Sequence, residues 1–520
     1  MKKLENYLQD RWISGEGSQA TLLDPATGEA LAETSTAGLD FAAALKHSRE
    51  LGGRALRAMT FAERGKLLMA MSRAIHAERE ALIDVSMKNG GNTRGDAKFD
   101  IDGGTGTLAV YAKLGEKLGD TRHWLDGEAE DMGASSRMQG RHLRVPRRGL
   151  AIHLNAFNFP AWGMLEKVAC AFLAGVPVIS KPSTNTCLLA HRIVEVLVDS
   201  KVLPDGAFGL VCGSAGDLLD HVGFQDCIAF TGSARTGNII RTHPAVLRSG
   251  ARVNVEADSL NAAVLGPDVE VDTDTFDLFL RDVTTEIRQK AGQKCTAIRR
   301  VLVPKEKMAA VKEKLAEQLQ GTVVGVPGAD KVRMGPLSGP RQLEDARANL
   351  ARLREVAEVV YGDPDASDFV GDEEGKGAFM PILVLEAADA RKAAAVHEVE
   401  CFGPVTTLMP YDGSADDGAA IVALGEGSLV TTFYSDDRKF AAEFIEACAS
   451  YQGRLVWGSE RVAAAAPTPG VVLPNFLHGG PGRAGGGEEL GGLRGLEFYS
   501  QRVAVQGFGP LLDRFFGVKK

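Results

Sequence analysis

The chain has 520 residues, 44% of them hydrophobic and 24% charged, with a formal net charge of −9 and a pI near 5.7. Such a length and apolar content build large cores in at least two domains, and acidic charge spread along the chain excludes a nucleic-acid surface, leaving small solutes as partners. No apolar run reaches membrane-span length, and the stretch from Met1 to Tyr7 lacks a signal-peptide core, so a cytoplasmic protein without a membrane partner is expected.

Residues 41–87 read as helices, with apolar side chains at three- and four-residue steps through Leu67, Leu68, Met71 and Ile75. The charged stretch 137–148, around Met138, His142 and Val145, reads as an extended hairpin. With the C-terminal segment 498–505 it stands apart from both cores, and such extended pieces are suited to adding strands across a subunit interface. From Gly149 short apolar runs alternate with helical stretches: 150–152 before 162–173, 176–179 before 188–197, 208–211 before 215–221, and 227–230 before 234–241. That alternation predicts βαβ units and a parallel, doubly wound sheet with its ligand at the carboxyl ends of the strands. A second α/β block spans residues 258–474, with strands at 301–303, 381–385 and 429–433 and an exposed acidic segment at 363–374.

Several strand ends carry chemistry-bearing residues. Asn155-Ala156-Phe157-Asn158-Phe159-Pro160 offers the Asn158 amide as a donor where charge develops on a reacting oxygen, or equally as a turn residue capping the next helix. Lys181, before Pro182, ends a neighbouring strand where its ammonium or stem meets a ribose or phosphate, or simply water. Phe230-Thr231-Gly232-Ser233-Ala234-Arg235-Thr236-Gly237 joins a strand to a helix, where free N–H groups and the helix dipole attract phosphate, although an ordinary tight turn uses the same small residues. Glu256 ends the strand 253–255, as a water-activating carboxylate or a solvent-facing one. Gly292-Gln293-Lys294-Cys295-Thr296-Ala297 presents a cysteine beside a basic neighbour that favours the thiolate, and a buried inert thiol is the alternative. The glycine-rich run 479–495, mixed with Pro481, Arg483, Glu488 and Glu489, is either a linker or a shaped loop near a ligand. Seven cysteines with no CxxC pair fit reduced thiols, and His397-Glu398 lacks the second histidine of a zincin, so no catalytic metal is expected.

Taken in order, these segments resemble the aldehyde dehydrogenase superfamily. Residues 155–160 are similar to its PWNFP segment, 178–182 to VVLKP, 230–237 to FTGSxxxG, Glu256 to the start of ELGGK, 292–296 to GQxC, and 400–405 to ExFGPV. The resemblance implies an α/β fold of two doubly wound Rossmann-type domains plus a small β oligomerisation arm. It divides the chain into a dinucleotide-binding domain (1–130 and 149–257), a catalytic domain (258–478), an arm (131–148 and 496–520) and a glycine-rich active-site loop (479–495). It implies Cys295 as nucleophile, Asn158 with the Cys295 N–H as oxyanion hole, Glu256 as general base, and Lys167 and Glu489 as proton relay. Lys181, Ser183, Thr184, Phe157, Thr231, Gly232, Ser233, Gly237, Glu400 and Phe402 become the cofactor contacts. The implied chemistry is oxidation of an aldehyde through a thiohemiacetal and a thioester that water hydrolyses.

Departures from the family pattern are informative. Ala257-Asp258-Ser259 replaces Leu-Gly-Gly after the glutamate, which stiffens the loop that lets it swing, and Ala156 and Phe157 replace the Pro and Trp of PWNFP. Thr184 stands where the family often has a glutamate for the adenosine ribose. A carboxylate repels a 2′-phosphate, whereas Ser183 and Thr184 donate hydrogen bonds to it, so NADP is expected over NAD, with NAD still possible. The strings 256–261 and 474–483 resemble stand-alone dehydrogenases of dehydroadipyl-CoA semialdehyde in aerobic benzoyl-CoA degradation and the dehydrogenase half of phenylacetate ring-opening proteins. The implied substrate is a CoA-linked semialdehyde and the implied assembly a homodimer. Rival readings are a CoA-acylating aldehyde dehydrogenase, against which Glu256 argues, a non-catalytic dinucleotide-binding protein, and a thioesterase-like hydrolase.

Overall fold

The computed structural model describes residues 2–133 and 137–517. Its first large sheet has seven strands. Arg252–Glu256, Cys227–Thr231, Ala151–Leu154, Val178–Lys181 and Phe208–Leu210 lie side by side and parallel, and Asn6–Leu8 and Arg11–Ile13 extend one edge antiparallel. The central runs are short and apolar because both faces are covered: every residue of Ala151–Leu154 is buried. One cover is the helix Trp162–Ala174, buried at every residue except Gly163 and packed against the helices Phe61–Ala77 and Arg94–Leu118. Thr60 and Glu63 fix the start of Phe61–Ala77 by a reciprocal capping box.

From Ala151–Leu154 the chain winds outward through Val178–Lys181 and Phe208–Leu210, then returns to the other flank for Cys227–Thr231 and Arg252–Glu256. The reversal opens a crevice at the carboxyl ends of Ala151–Leu154 and Cys227–Thr231, the position at which open α/β sheets take their ligands. One expected helix is missing. Residues 215–221 form only the 3-10 turn Leu218–His221, because Gly216 at φ +49 breaks the run after Ala215.

The second seven-stranded sheet runs Glu358–Tyr361, Leu383–Glu386, Val405–Tyr411, Ile298–Pro304, Asn261–Leu265, Ser428–Tyr434, Gln452–Gly458, parallel except for the first pair. The apolar face of the helix Asp274–Arg288, with Phe276, Phe279 and Val283, closes its core. The chain crosses from Glu256 at the carboxyl end of one sheet to Asn261 at the amino end of the other, so these two edges meet.

The stretch read as a hairpin is a single long strand, Met138–Pro146, paired with Ser500–Phe508 over nine positions on one side and with Trp124–Leu125 and Glu130–Asp131 on the other. Residues 134–136 and 518–520 of the expected arm, and Met1, lie outside the described residues. The glycine-rich run is a shaped loop and not a linker. It folds as an antiparallel pair, Leu477–Gly479 with Glu488–Leu490, and Gly485, at φ +101, sits where a Cβ would lie 2.3 Å from the Val255 carbonyl oxygen. That close approach presses the pair onto the strand carrying Glu256. No described helix is long and apolar enough to cross a membrane.

Candidate active site

Cys295 lies just before Ile298–Pro304, and its loop is tied down from three sides. Asn261 Nδ2 donates to the carbonyls of Cys295 and Ala297 at 2.8 and 2.9 Å. Arg299, a residue that sequence reading missed, donates to Gly292 and Gly403 at 2.7 and 2.8 Å and places its guanidinium 5.3 Å from the Phe402 ring centroid. Lys294 turns away from the sulfur into a fully buried ion pair with Glu286 at 2.8 Å. The expectation that Lys294 favours the thiolate therefore fails. Burial, followed by the carboxylates of Glu256, Glu166 and Glu400, pushes the Cys295 thiol well above its ordinary range. Of the seven cysteines, Cys295 alone is only partly buried.

Two cavities meet at this sulfur. A chamber of about 490 Å³ is lined on one side by Phe159, Trp162, Val472 and Thr296 and on the other by Glu166, Lys167 and His478. A cleft of about 2340 Å³ runs the other way, past Phe157, Lys181, Ser183, Gly232, Ser233, Glu400 and Phe402. Asn158, Thr231, Glu256 and Cys295 line both. Asn158 Nδ2 donates to the Gln293 carbonyl at 3.0 Å, which leaves the second N–H of that amide for the chamber.

Glu256 is almost fully buried, and Thr231 Oγ1 donates to its Oε2 at 3.3 Å. Its Oε1 is 3.1 Å from Nε2 of His478, which also lies 3.8 Å from Cys295 Sγ. Burial works to raise the Glu256 carboxyl, but His478 and then Lys167 overcome it and hold it at about 2. Reciprocally, Glu256 outweighs burial and raises the His478 imidazolium above its ordinary value. His478 is a second functional side chain absent from the sequence reading. Its only signal was a lone histidine in the Leu477–Gly479 strand, in register with Glu489.

Behind Glu256, Lys167 Nζ sits 3.0 Å from Glu489 and 3.5 Å from Glu166. Glu489 also accepts from Asn254 Nδ2 at 3.2 Å. Burial leads the shift of Glu166 to about 7, while the two carboxylates more than offset the desolvation of the Lys167 ammonium and raise it. In the loop after Glu256, Ala257 N donates to the Ala484 carbonyl at 3.0 Å, and Ser259 Oγ donates to Asn261 Oδ1 at 2.6 Å.

The cleft has the features of a dinucleotide site. Ser233 caps the helix Ala234–Arg241, and Gly232 lies open to the cleft. Lys181 Nζ has a carbonyl partner, Pro182 at 3.2 Å, and burial lowers its pKa. Glu400 Oε2 accepts from Ser259 N at 3.3 Å, whereas its buried Oε1 has no hydrogen-bond partner, and burial raises the carboxyl to about 8. Phe157 and Phe402 meet edge to face at 5.7 Å. Asp258 adds an unexpected contact: its carboxylate accepts from Ala234 N at 3.1 Å, at the start of the helix Ala234–Arg241.

Two expected contacts do not line the cleft. Thr184 donates to the Gly213 carbonyl at 3.1 Å, which ties its hydroxyl into the wall, and Ser183, though in the cleft, donates to Asn185 Oδ1 at 2.7 Å. Gly237 instead permits close helix packing, since a Cβ there would lie 2.8 Å from Val255 Cγ1. The nearest clusters of metal-ligand side chains are Glu256, Cys295 and His478, and Glu166, Glu256 and Glu489, both within this same site.

Comparison with known proteins gives consistent results. The sequence model of the aldehyde dehydrogenase family matches residues 12–505. The 3,4-dehydroadipyl-CoA semialdehyde dehydrogenase of Aromatoleum evansii is 44% identical over 480 residues, 92% of this chain and 93% of that protein. Among solved structures, PnpE in complex with nicotinamide adenine dinucleotide superposes with a TM-score of 0.82 at 22% identity, covering 97% of this chain and 98% of that one. A 3,6-anhydro-L-galactose dehydrogenase in complex with NADP gives 0.83 at 19% identity, over 97% and 100% of the two chains. At such identities these likenesses speak for the fold.

Proposed function

Because the chain belongs to the aldehyde dehydrogenase family, we propose that it oxidises a CoA-linked semialdehyde of the 3,4-dehydroadipyl-CoA type to the carboxylic acid, with NADP preferred over NAD. The observation that carries this reading is the position of Cys295, the one cysteine that is only partly buried, between a substrate-sized chamber and a dinucleotide-sized cleft. The similarity to the Aromatoleum evansii enzyme supports the substrate class.

In this reading Cys295 Sγ bonds to the aldehyde carbon, and the oxygen that gains the electron pair is received by the free Asn158 N–H and the Cys295 backbone N–H. Bound nicotinamide dinucleotide supplies the two-electron acceptor that leaves a thioester on Cys295. Lys181, Ser183, Thr231, Gly232 and Ser233 hold its phosphate and ribose groups, Glu400 offers Oε1, which has Arg299 Nε at 4.0 Å but no hydrogen bond, to a ribose hydroxyl, and Phe157 and Phe402 flank its ring. Thr184 and Gly237 act from behind the cleft wall. Glu256 directs water onto the thioester, and Lys167 with Glu489 carries protons away. The lack of a carboxylate at Thr184 and the Lys181 cation support NADP.

The same reading takes residues 1–130 and 149–257 as the dinucleotide domain, 258–478 as the catalytic domain, 479–495 as the active-site loop, and 131–148 with 496–520 as the arm of a homodimer. Among the described residues the outer strand Ser500–Phe508 has one unpaired edge, and Val503 and Phe508 on it are 41% and 53% exposed, which suits pairing with a second copy. Seven free thiols suit the reducing cytoplasm. The deciding experiment offers purified protein free aliphatic aldehydes and CoA-linked semialdehydes with each cofactor, and identifies the product by mass spectrometry. A free carboxylic acid formed from the CoA-linked substrate is the expected result. An acyl-CoA formed only when free CoA is added, or no reduced cofactor with any aldehyde, overturns it.

A further inference from the structure

Building on that reading, we propose that Glu166 receives the proton that Glu256 takes from the water hydrolysing the thioester. Glu166 lies on Trp162–Ala174, one residue before Lys167. One oxygen from each of Glu166, Glu256 and Glu489 lies within 4.8 Å of the other two. A single water molecule bridges such a span with two hydrogen bonds of about 2.8 Å each. Behind the chamber is a further pocket of about 260 Å³, whose walls include Asn254, Glu489 and the exposed Glu488. Glu166 and Lys167 are the two residues that line both spaces. Lys167 is an ammonium that already carries its full set of protons, so the group that can accept a proton on the chamber side and release it on the other is Glu166.

The step balances without a further reagent. An O–H bond of the attacking water breaks as the Glu256 O–H bond forms, the water oxygen bonds to the thioester carbon, and the C–S bond breaks with its electron pair left on sulfur. The Glu256 O–H bond then breaks as the Glu166 O–H bond forms, through one bridging water that gains a proton and gives up another. Lys167, 3.5 Å from Glu166 and 3.0 Å from Glu489, takes that proton as it passes one of its own to Glu489. Onward transfer is needed because His478 and then Lys167, against burial, hold Glu256 at about 2, too weak a base to keep a proton. Glu166, at about 7, is matched to gain one and lose it near neutrality.

The groups facing Glu166 are Lys167 and Cys170 on its own helix, Tyr111 on Arg94–Leu118, Glu256 on Arg252–Glu256, His478 on Leu477–Gly479, Glu489 on Glu488–Leu490, Tyr499 and the Cys295 thiol. Burial raises its carboxyl most, Lys167 and His478 lower it, and Glu489 and Glu256 raise it. Glu166 must be ionised to accept a proton, so thioester hydrolysis slows as pH falls through about 7.

The test acetylates Cys295 in the full chain with p-nitrophenyl acetate, removes excess reagent, and follows loss of the acetyl adduct by intact mass against pH. It needs neither aldehyde nor cofactor, so it stands whichever substrate the enzyme takes. An adduct formed equally in Cys295→Ala overturns the reading of the site and this inference with it; the outcomes that follow bear on the inference alone. In wild type the decay is expected to quicken with pH to a plateau above a midpoint of about 7. Its rate in mixtures of light and heavy water should curve with deuterium content, because more than one proton is in flight, and this readout alters no residue. Glu166→Gln should slow the plateau by at least about tenfold and lose the step. A step kept at the same midpoint in Glu166→Gln would belong to His478, whose imidazolium Glu256 raises above 6.5. That result, an unchanged plateau in Glu166→Gln, or a linear isotope dependence in wild type would overturn the proposal.

Discussion

The two sides of Cys295 are built on opposite principles. On the chamber side the charged groups answer one another: Lys167 faces Glu489 and Glu166, and His478 faces Glu256. On the cleft side the charged groups are answered more weakly, since Glu400 Oε1 meets Arg299 Nε at 4.0 Å, beyond hydrogen-bond reach, and Lys181 has the carbonyl next to it in the chain. A mutually paired cluster is suited to holding and moving protons with no ligand present, and an under-satisfied wall is suited to recognising one. Substitutions on the chamber side should therefore damage chemistry and folding, and those on the cleft side binding.

The harshest way to probe this contrast is at the junction itself. Cys295→Ala should abolish cofactor reduction, a loss of at least about 10³-fold, while leaving cofactor binding measurable by fluorescence quenching. Glu256→Gln should lower steady-state turnover by about 10²–10³-fold yet preserve a first burst of reduced cofactor, seen by stopped flow. Full turnover in that variant would remove Glu256 from the hydrolytic step. Lys167→Met strands two buried carboxylates without their cation, at a cost of about 3–5 kcal/mol in denaturant unfolding. A variant as stable as wild type would mean that the cluster is not a mutually dependent one.

Glu400 tests the cleft side through pH. Its carboxyl is raised from 4.5 to about 8 in the folded protein, so the native state holds a proton that the unfolded chain has already lost between those values. Stability contributed by this site is thus greatest at low pH and declines as pH rises toward 8, by no more than about 1.4 kcal/mol per unit. Glu400→Gln should flatten that part of the unfolding profile, and saturating cofactor should flatten it too if Oε1 is satisfied by the ligand.

Much of this was legible in the sequence because it is written locally. Strand runs of four or five apolar residues followed by helical spacing announce the parallel sheet from Ala151 onward. The three-residue strands Asn6–Leu8 and Arg11–Ile13 are too short to leave such a pattern, and they join the sheet because Asn6–Leu8 pairs with Phe208–Leu210, about 200 residues away, and carries Arg11–Ile13 on its outer edge. The site shows the same divide. Asn158, Glu256 and Cys295 lie in recognisable local strings and fold to one place. Lys294 misleads because adjacency in the chain says nothing of side-chain direction, and its ammonium belongs to Glu286. His478 is reached only through the hairpin that the glycines allow to press on Val255, a contact between segments more than 200 residues apart.

The gentlest test concerns which cofactor the cleft prefers. With the hydroxyl hydrogens of Ser183 and Thr184 already donated to Asn185 and Gly213, the 2′-phosphate cannot rely on them as first expected. What remains is the Lys181 ammonium, together with the absence of a carboxylate at Thr184 to repel the phosphate. Lys181→Gln should therefore raise KM for NADP about tenfold and that for NAD much less, because only the former loses a charge-assisted contact. Equal losses would make Lys181 a contact to the part the two cofactors share. Comparable kcat/KM for both in the wild type would show that removing a repulsive carboxylate is not enough to select the phosphate.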